Sequence, residues 1–422
     1  MRRSVIFLLS ALIAGLAWSA DTGAQEGVEI RASDAQSEFP DGIVFTLEAA
    51  GAGIGEIRLI HELAPDGVRA TTVAECSGGT VVSCTVALEA DRRNLLIPGA
   101  EVTFFWRITV DGVTQETASQ RVTYDDDRFD WQQISDGNLT LWSYRGSEDE
   151  RRRVLAAGRE SLDTISDLLQ TEVDFPVKIF YYASREDMGP AIITDDREDV
   201  VTLGEVVYSD TAMVSAEAAP EEIARHEIAH IVVRQALQGP YGVPDWLNEG
   251  TAVFAQTQPL ADQRQAVERA IESGRVLSVR SLSSATSGAI AGGVSLFYGQ
   301  SWSLVAFLVE RYGEEQFAQL FQAFREGAGT AEALEQVYGF DQDGLEDAWR
   351  ESVGLPPRQV PTPDEEQVPS ADVTATPEAE MAPGPSDDDG VSGALIVAVA
   401  ALAVLLAGGL VGAGLLVARR YR

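Results

Sequence analysis

Between Gly27 and Tyr124 apolar and polar residues alternate with a period of two. In EVTFFWRITVDG, residues 101–112, Val102, Phe104, Trp106, Ile108 and Val110 share one face of an extended chain, and Asp111-Gly112 supplies a tight hairpin turn. Similar short runs, GVEIRA, GIVFTLEA, GEIRLIHEL and TVVSCTVAL, are separated by turn residues. Short strands at this spacing predict a small all-β sandwich, immunoglobulin- or fibronectin-like, over residues 27–125. His61 is expected on a strand surface there, with no ligand role.

After the acidic stretch YDDDRFDW the period changes. LTLWSY and FPVKIFYYA read as strands, and EDERRRVLAAGRESLDTISDLLQ reads as a helix with Val154, Leu155, Leu162, Ile165, Leu168 and Leu169 on its apolar face. Past residue 219 nearly all of the chain has helical periodicity, with stops at Gly239, Gly313, Gly327 and Gly339. Strands followed by helices predict an α+β domain over 138–354.

The two ends read differently. MRRSVIFLLSALIAGLAWSA has a basic start and an apolar core closed by small residues, the pattern of a signal peptide over 1–20, with an uncleaved anchor as the duller alternative. Residues 356–390, rich in Pro, Asp, Glu, Ser and Thr, predict a disordered, self-repelling stalk. The uncharged run 391–418 predicts one C-terminal transmembrane helix, and Arg419, Arg420 and Arg422 in the tail 419–422 place that end in the cytoplasm. The expected protein is therefore a multidomain, single-pass membrane protein with an extracytoplasmic body.

Charge and cysteine content narrow the picture further. A net charge of −35 argues against nucleic acid as a partner, since phosphate binding needs a basic surface. Cys76 and Cys84 flank a Gly-Gly turn in the exported part, where a disulfide is the expected state and two free thiols the alternative. The tripeptide NLT at Asn138 fits a glycosylation acceptor. Oligomeric state is not encoded in any feature of the chain.

The chemistry concentrates at ARHEIAHIVVRQ, residues 224–235, which holds two of the three histidines. Pro220, then Glu221 and Glu222, suit a helix start, so His226 and His230 stack on one face and both imidazoles reach one point. Neutral imidazoles hold Zn²⁺ at about 2.0–2.1 Å, and the metal lowers the pKa of a bound water towards about 7. A glutamate beside them, Glu227, is placed to take that water's proton. No histidine follows His230, so in a zinc hydrolase the third protein ligand must be a carboxylate. Glu249, in YGVPDWLNEGTAVFAQ, is favoured because its neighbours are mostly apolar, and Asp245 is the reserve.

RHEIAHIVVRQ, followed by Glu249 in WLNEGTAVF and later by FYGQSWSLVAFLVERYG, resembles the gluzincin metallopeptidases, most closely their peptidase MA-like branch. The resemblance implies a zincin-like metallopeptidase fold with one Zn²⁺ per chain held by His226, His230 and Glu249, and Glu227 as base in the hydrolysis of peptide or protein substrates. Many gluzincins stabilise the oxyanion with a downstream tyrosine or histidine; Tyr298 is the candidate here, with core packing its other reading. Some also carry an aspartate four residues after the ligand glutamate, where this chain has Val253, which leaves the group orienting the histidines unassigned. The expected function is a membrane-anchored, extracytoplasmic zinc peptidase. A surface adhesion or scaffold protein with an inactive peptidase-like domain is the alternative, and a hydrolase of non-peptide bonds shares the same residues.

Overall fold

The computed structural model describes residues 28–64, 68–91, 96–192, 204–208, 210–238, 242–284 and 293–358. The expected signal peptide, the transmembrane helix, the cytoplasmic tail and nearly all of the stalk lie outside the described residues. Among the described residues no helix is long and apolar enough to cross a membrane.

The period-two region forms two antiparallel sheets around one core. One has the order β1 (Glu29–Glu38), β2 (Gly42–Ala50), β6 (Val81–Glu89), β5 (Glu75–Gly78). The other runs β4 (Val68–Val73), β3 (Ile54–Leu63), β7 (Ala100–Val110), β8 (Val113–Glu116), with β9 (Gln120–Tyr124) on the free part of β7. All five apolar residues singled out on β7 are buried, and Phe104 meets Phe45 of the opposite sheet edge to face at 4.9 Å. Asp111 and Gly112 take positive φ values of 49° and 83°, so the hairpin turn follows the strand twist. Cys76 pairs directly with Cys84 across β5 and β6 and the two form a disulfide.

His61 departs from expectation: it is buried, 6% exposed. Leu59, His61 and Leu63 lie opposite Trp106, Phe104 and Val102 of β7, on the core face. The alternation of Ile57, Leu59 and Leu63 carries His61 inward with it. Its Nδ1 has no hydrogen-bond partner among the described residues, and burial lowers the pKa of the ring.

A third, five-stranded sheet has the order β10 (Gln132–Asp136), β11 (Leu139–Ser143), β12 (Val177–Tyr182), β14 (Thr211–Ser215), β13 (Gly204–Tyr208). β11, β12 and β14 are parallel, with β10 and β13 antiparallel on the two edges. The sheet thus takes in β10, upstream of residue 138. Helix α1 (Glu148–Leu169) makes the crossover from β11 to β12, capped by the Ser147 hydroxyl. The short turn α2 (Arg185–Met188) follows β12.

The central strands are covered on both sides, which is why β12 is a nearly continuous apolar run. Ile179, Tyr181, Ala212 and Val214 face a core shared with α1 and the later helices. Phe180, Tyr182 and Met213 face the other way, into the core of the two N-terminal sheets, where Met188, Ala191 and Ile192 join them. The N-terminal sheets therefore cover the back of the third sheet instead of hanging from it as a separate bead.

The acidic stretch between the two regions is a fixed joint. Asp126 is 1% exposed and accepts two bonds from the Arg128 guanidinium, at 2.8 and 2.7 Å, and one from the Tyr182 hydroxyl at 3.1 Å. The Arg128 guanidinium lies over the rings of Phe39 and Phe129, 4.7 and 4.8 Å from their centroids, and donates to the Asp187 carbonyl. Burying the Asp126 carboxylate is tolerated because its oxygens are bonded and its charge is paired. Asn138 is equally committed: its amide donates to the carbonyls of Val173 and Phe175 and its Oδ1 accepts from Arg159, so the NLT tripeptide closes a turn and offers no free amide for a glycan.

Candidate metal centre

Three helices bring the site together: α3 (Pro220–Leu237), α4 (Asp245–Phe254) and α7 (Val294–Tyr312), the last reached through α5 (Ala261–Ser273) and the short α6 (Val279–Leu282). Pro220 occupies the first turn of α3 as expected, and Ile223, Ile228, Ile231, Val232 and Val233 are all buried. A helix apolar around most of its circumference sits inside the fold, here against α1, α4 and β14. Its first turn is tied down where the Glu222 carboxylate accepts from the Thr257 amide and hydroxyl at 2.8 and 2.6 Å.

His226 and His230 converge as their spacing requires. Their rings are 4.8 Å apart at 86°, with Nε2 to Nε2 at 3.2 Å. Glu249, on the returning helix α4, brings Oε2 to 3.4 Å from His226 Nε2 and 3.5 Å from His230 Nε2. These are the three residues whose ligand atoms, all within 4.8 Å of one another, could hold a metal ion among the described residues, and Asp245 is not one of them. Glu227 is buried on the same helix.

Two glycines make that convergence sterically possible. A Cβ on Gly250 would lie 2.4 Å from the Ser301 carbonyl of α7, and one on Gly299 would lie 2.3 Å from the Gln263 carbonyl of α5. Contacts that short do not occur between real atoms, so α4, α7 and α5 approach this closely only because both positions lack a side chain. Nothing in the local sequence distinguishes either glycine.

Asn248 fills the role left unassigned by Val253. Its Oδ1 is 3.0 Å from His230 Nδ1 and its amide donates to Glu249 Oε1 at 3.5 Å. An amide oxygen only accepts, so Nδ1 of His230 carries the proton of this bond and Nε2 is the ring atom that faces the point where the other donors meet. The adjacency of Asn248 to Glu249 was visible in the sequence; its reach back to α3 was not.

Electrostatics show what the donors require. Burial works against a charged His230, but Glu249, Glu227 and Asn248 outweigh it and raise the ring to about 9. Burial lowers His226, only partly offset by Glu249, and the two rings hold the Glu249 carboxylate well below its usual range against its own desolvation. The cluster therefore demands positive charge at its centre. Two imidazole nitrogens, one of fixed tautomer, and a carboxylate suit a borderline-soft divalent cation such as Zn²⁺, so the donor set fits the metal.

Tyr298 is buried in the second turn of α7, its ring 6.0 Å from that of His226. Burial, then Glu249 and Glu227, push its hydroxyl well above the usual phenol range and keep it protonated.

Residues 157–354 match the family model of the Peptidase MA superfamily. That stretch is what this chain shares with the superfamily. No curated protein matches the sequence. Among solved structures, a two-domain M1 zinc metallopeptidase, in a mutant form bound to L-arginine, is 12% identical over 80% of this chain and 97% of its own, with a TM-score of 0.36. An aminopeptidase N family protein from Idiomarina loihiensis is 11% identical over 72% of this chain and 73% of its own, with a TM-score of 0.34. A family 56 carbohydrate-binding module that binds β-1,3-glucan is 14% identical over 23% of this chain and 98% of its own, with a TM-score of 0.16. The HExxH segment, Glu249 and Tyr298 all lie inside the stretch matched by the superfamily.

Proposed function

We propose that this protein is a zinc peptidase that hydrolyses peptide bonds in peptide or protein substrates, with one Zn²⁺ per chain held by His226, His230 and Glu249. The observation that carries the reading is the meeting of these donors at one buried point beside Glu227, inside the superfamily match. When bound there, Zn²⁺ supplies Lewis-acid polarisation of the substrate carbonyl and acidifies water.

The chain's own groups do the rest. Asn248 fixes His230, and Glu227 takes a proton from the attacking water as its oxygen bonds to the carbonyl carbon. Glu227 then passes the proton to the departing amine nitrogen as the C–N bond breaks. Tyr298, held protonated, donates to the carbonyl oxygen as negative charge grows on it. The free edge of β13 offers backbone groups with which an extended substrate can pair.

We place the catalytic body, residues 138–354, outside the membrane together with the β-domain at 27–125. An N-terminal signal at 1–20 exports it, and the stalk at 356–390 and the uncharged run 391–418 tether it. Hydrolysis of a peptide library by the purified protein and its Glu227→Gln variant tests the chemistry. Loss of cleavage in the variant with metal retained is expected; equal rates would remove Glu227 as the base.

A further inference from the structure

α7 presents Tyr298 to the site, and two residues later the same helix carries a polar side chain with an unrelated commitment. Gln300 is 0% exposed, and its amide brackets one residue of the preceding segment: Oε1 accepts from the Leu277 N–H at 2.8 Å and Nε2 donates to the Leu277 carbonyl at 2.6 Å. Leu277 belongs to no helix or strand, so these bonds replace the partners that regular structure would give its backbone. A buried primary amide satisfied on both sides has one orientation, and it fixes the rotation of α7 about its axis as well as its height.

The bracketed segment is itself anchored at the site. The Val279 N–H donates to the buried Glu346 carboxylate at 3.2 Å, and the Ser283 carbonyl accepts from the Asp245 amide at 3.4 Å, in the first turn of the helix that carries Asn248 and Glu249. Gly299, between Tyr298 and Gln300, leaves no slack, because a Cβ there would lie 2.3 Å from the Gln263 carbonyl. Residues 277–283 thus form a strap from α7 to the start of α4, fastened at the α7 end by Gln300.

We propose that Gln300 is a positioning residue for Tyr298: it sets the register of α7 so that the phenol meets the substrate oxygen, and acts on turnover only through that hydroxyl. The inference rests on the peptidase reading above. Its test is a double-mutant cycle of Gln300→Met and Tyr298→Phe, with kcat, KM, bound zinc and amide hydrogen exchange measured on the full chain. Gln300→Met keeps length and removes both bonds, so it is expected to lower kcat by about tenfold to a hundredfold with KM and zinc content unchanged. In the Tyr298→Phe background the same change is expected to have no further effect on kcat. Hydrogen exchange should rise over residues 276–279 and not over α3.

Losses that multiply in the double variant, or a Gln300→Met protein with wild-type kcat, would overturn the proposal. If Gln300→Met does not fold, Gln300→Glu, which keeps the bond to the Leu277 N–H, takes its place in the cycle under the same criterion. An inactive wild type would instead be a failure of the peptidase reading, and a wild type that is active but unaffected by Tyr298→Phe would remove the tyrosine's role and this inference with it.

Discussion

Gly250→Ala puts the packing argument to a quantitative test. The added methyl carbon would sit 2.4 Å from the Ser301 carbonyl oxygen and 2.7 Å from Val305 Cγ2, where ordinary contact begins near 3.4 Å, so α4 and α7 must part by about 1 Å. Overpacking of this kind costs about 1–3 kcal/mol, while replacing glycine by alanine inside a helix returns about 0.5–1 kcal/mol. A net loss of up to about 2.5 kcal/mol corresponds to a fall in Tm of up to about 10 °C for a region of this size. The same displacement moves Glu249, one residue earlier, by more than the roughly 0.2 Å that metal coordination tolerates, so zinc affinity should fall at least about tenfold. Calorimetry and competition with a zinc chelator read the two effects, with Gly242→Ala, where an added methyl meets nothing within 4 Å, as the control. A Gly250→Ala protein that melts and binds zinc like the wild type would refute the claim that helix approach at this glycine assembles the site.

Other expectations follow from single features. Asn248→Leu removes the acceptor at His230 Nδ1 and should weaken zinc binding by about tenfold to a hundredfold in a chelator titration; an unchanged affinity would mean that the tautomer is set elsewhere. His61 has a folded-state pKa below the ordinary value of about 6.5, so its contribution to stability is fully present above that pH and is lost as pH falls through the lowered value. His61→Leu should therefore gain stability relative to the wild type as denaturation is followed from pH 7 to pH 5, and a difference that stays constant with pH would contradict the burial of a neutral ring. A chain starting at Trp131 would expose Phe180, Met188, Ile192 and Met213, at on the order of 6–12 kcal/mol for the four, which is comparable to a whole domain's stability. It should be unfolded or aggregated by circular dichroism and light scattering, and a well-folded, monomeric fragment would show that the N-terminal sheets are dispensable.

Much of this architecture is legible where a pattern is local. The alternation on β7, the Asp111-Gly112 turn, the Pro220 helix start and the His226–His230 stack all depend on neighbours within one or two turns of chain, and the structure shows each of them. The absence of a further histidine points to a carboxylate ligand and mostly apolar neighbours favour Glu249 over Asp245, and the αα turn does bring Glu249 to the pair. His61 is buried against expectation because its position in the inward set of β3 outweighs its polarity. Partners distant in sequence were out of reach. The Asp126–Arg128–Tyr182 joint looks like an acidic linker in one dimension, and Gly250 and Gly299 look like ordinary helix defects until the opposing carbonyls are known. FPVKIFYYA reads as a strand from its local pattern, but that it is buried on both faces, with the N-terminal β region as one covering layer, depends on residues far away in the chain.

Metal analysis bears most directly on the central claim that His226, His230 and Glu249 form one cation site. Protein expressed with ample zinc and freed of loosely held ions should carry about one zinc per chain by mass spectrometry, and the Glu249→Ala protein, still folded, should carry almost none. A folded wild type without zinc, or a Glu249→Ala variant that keeps it at full occupancy, would contradict the account.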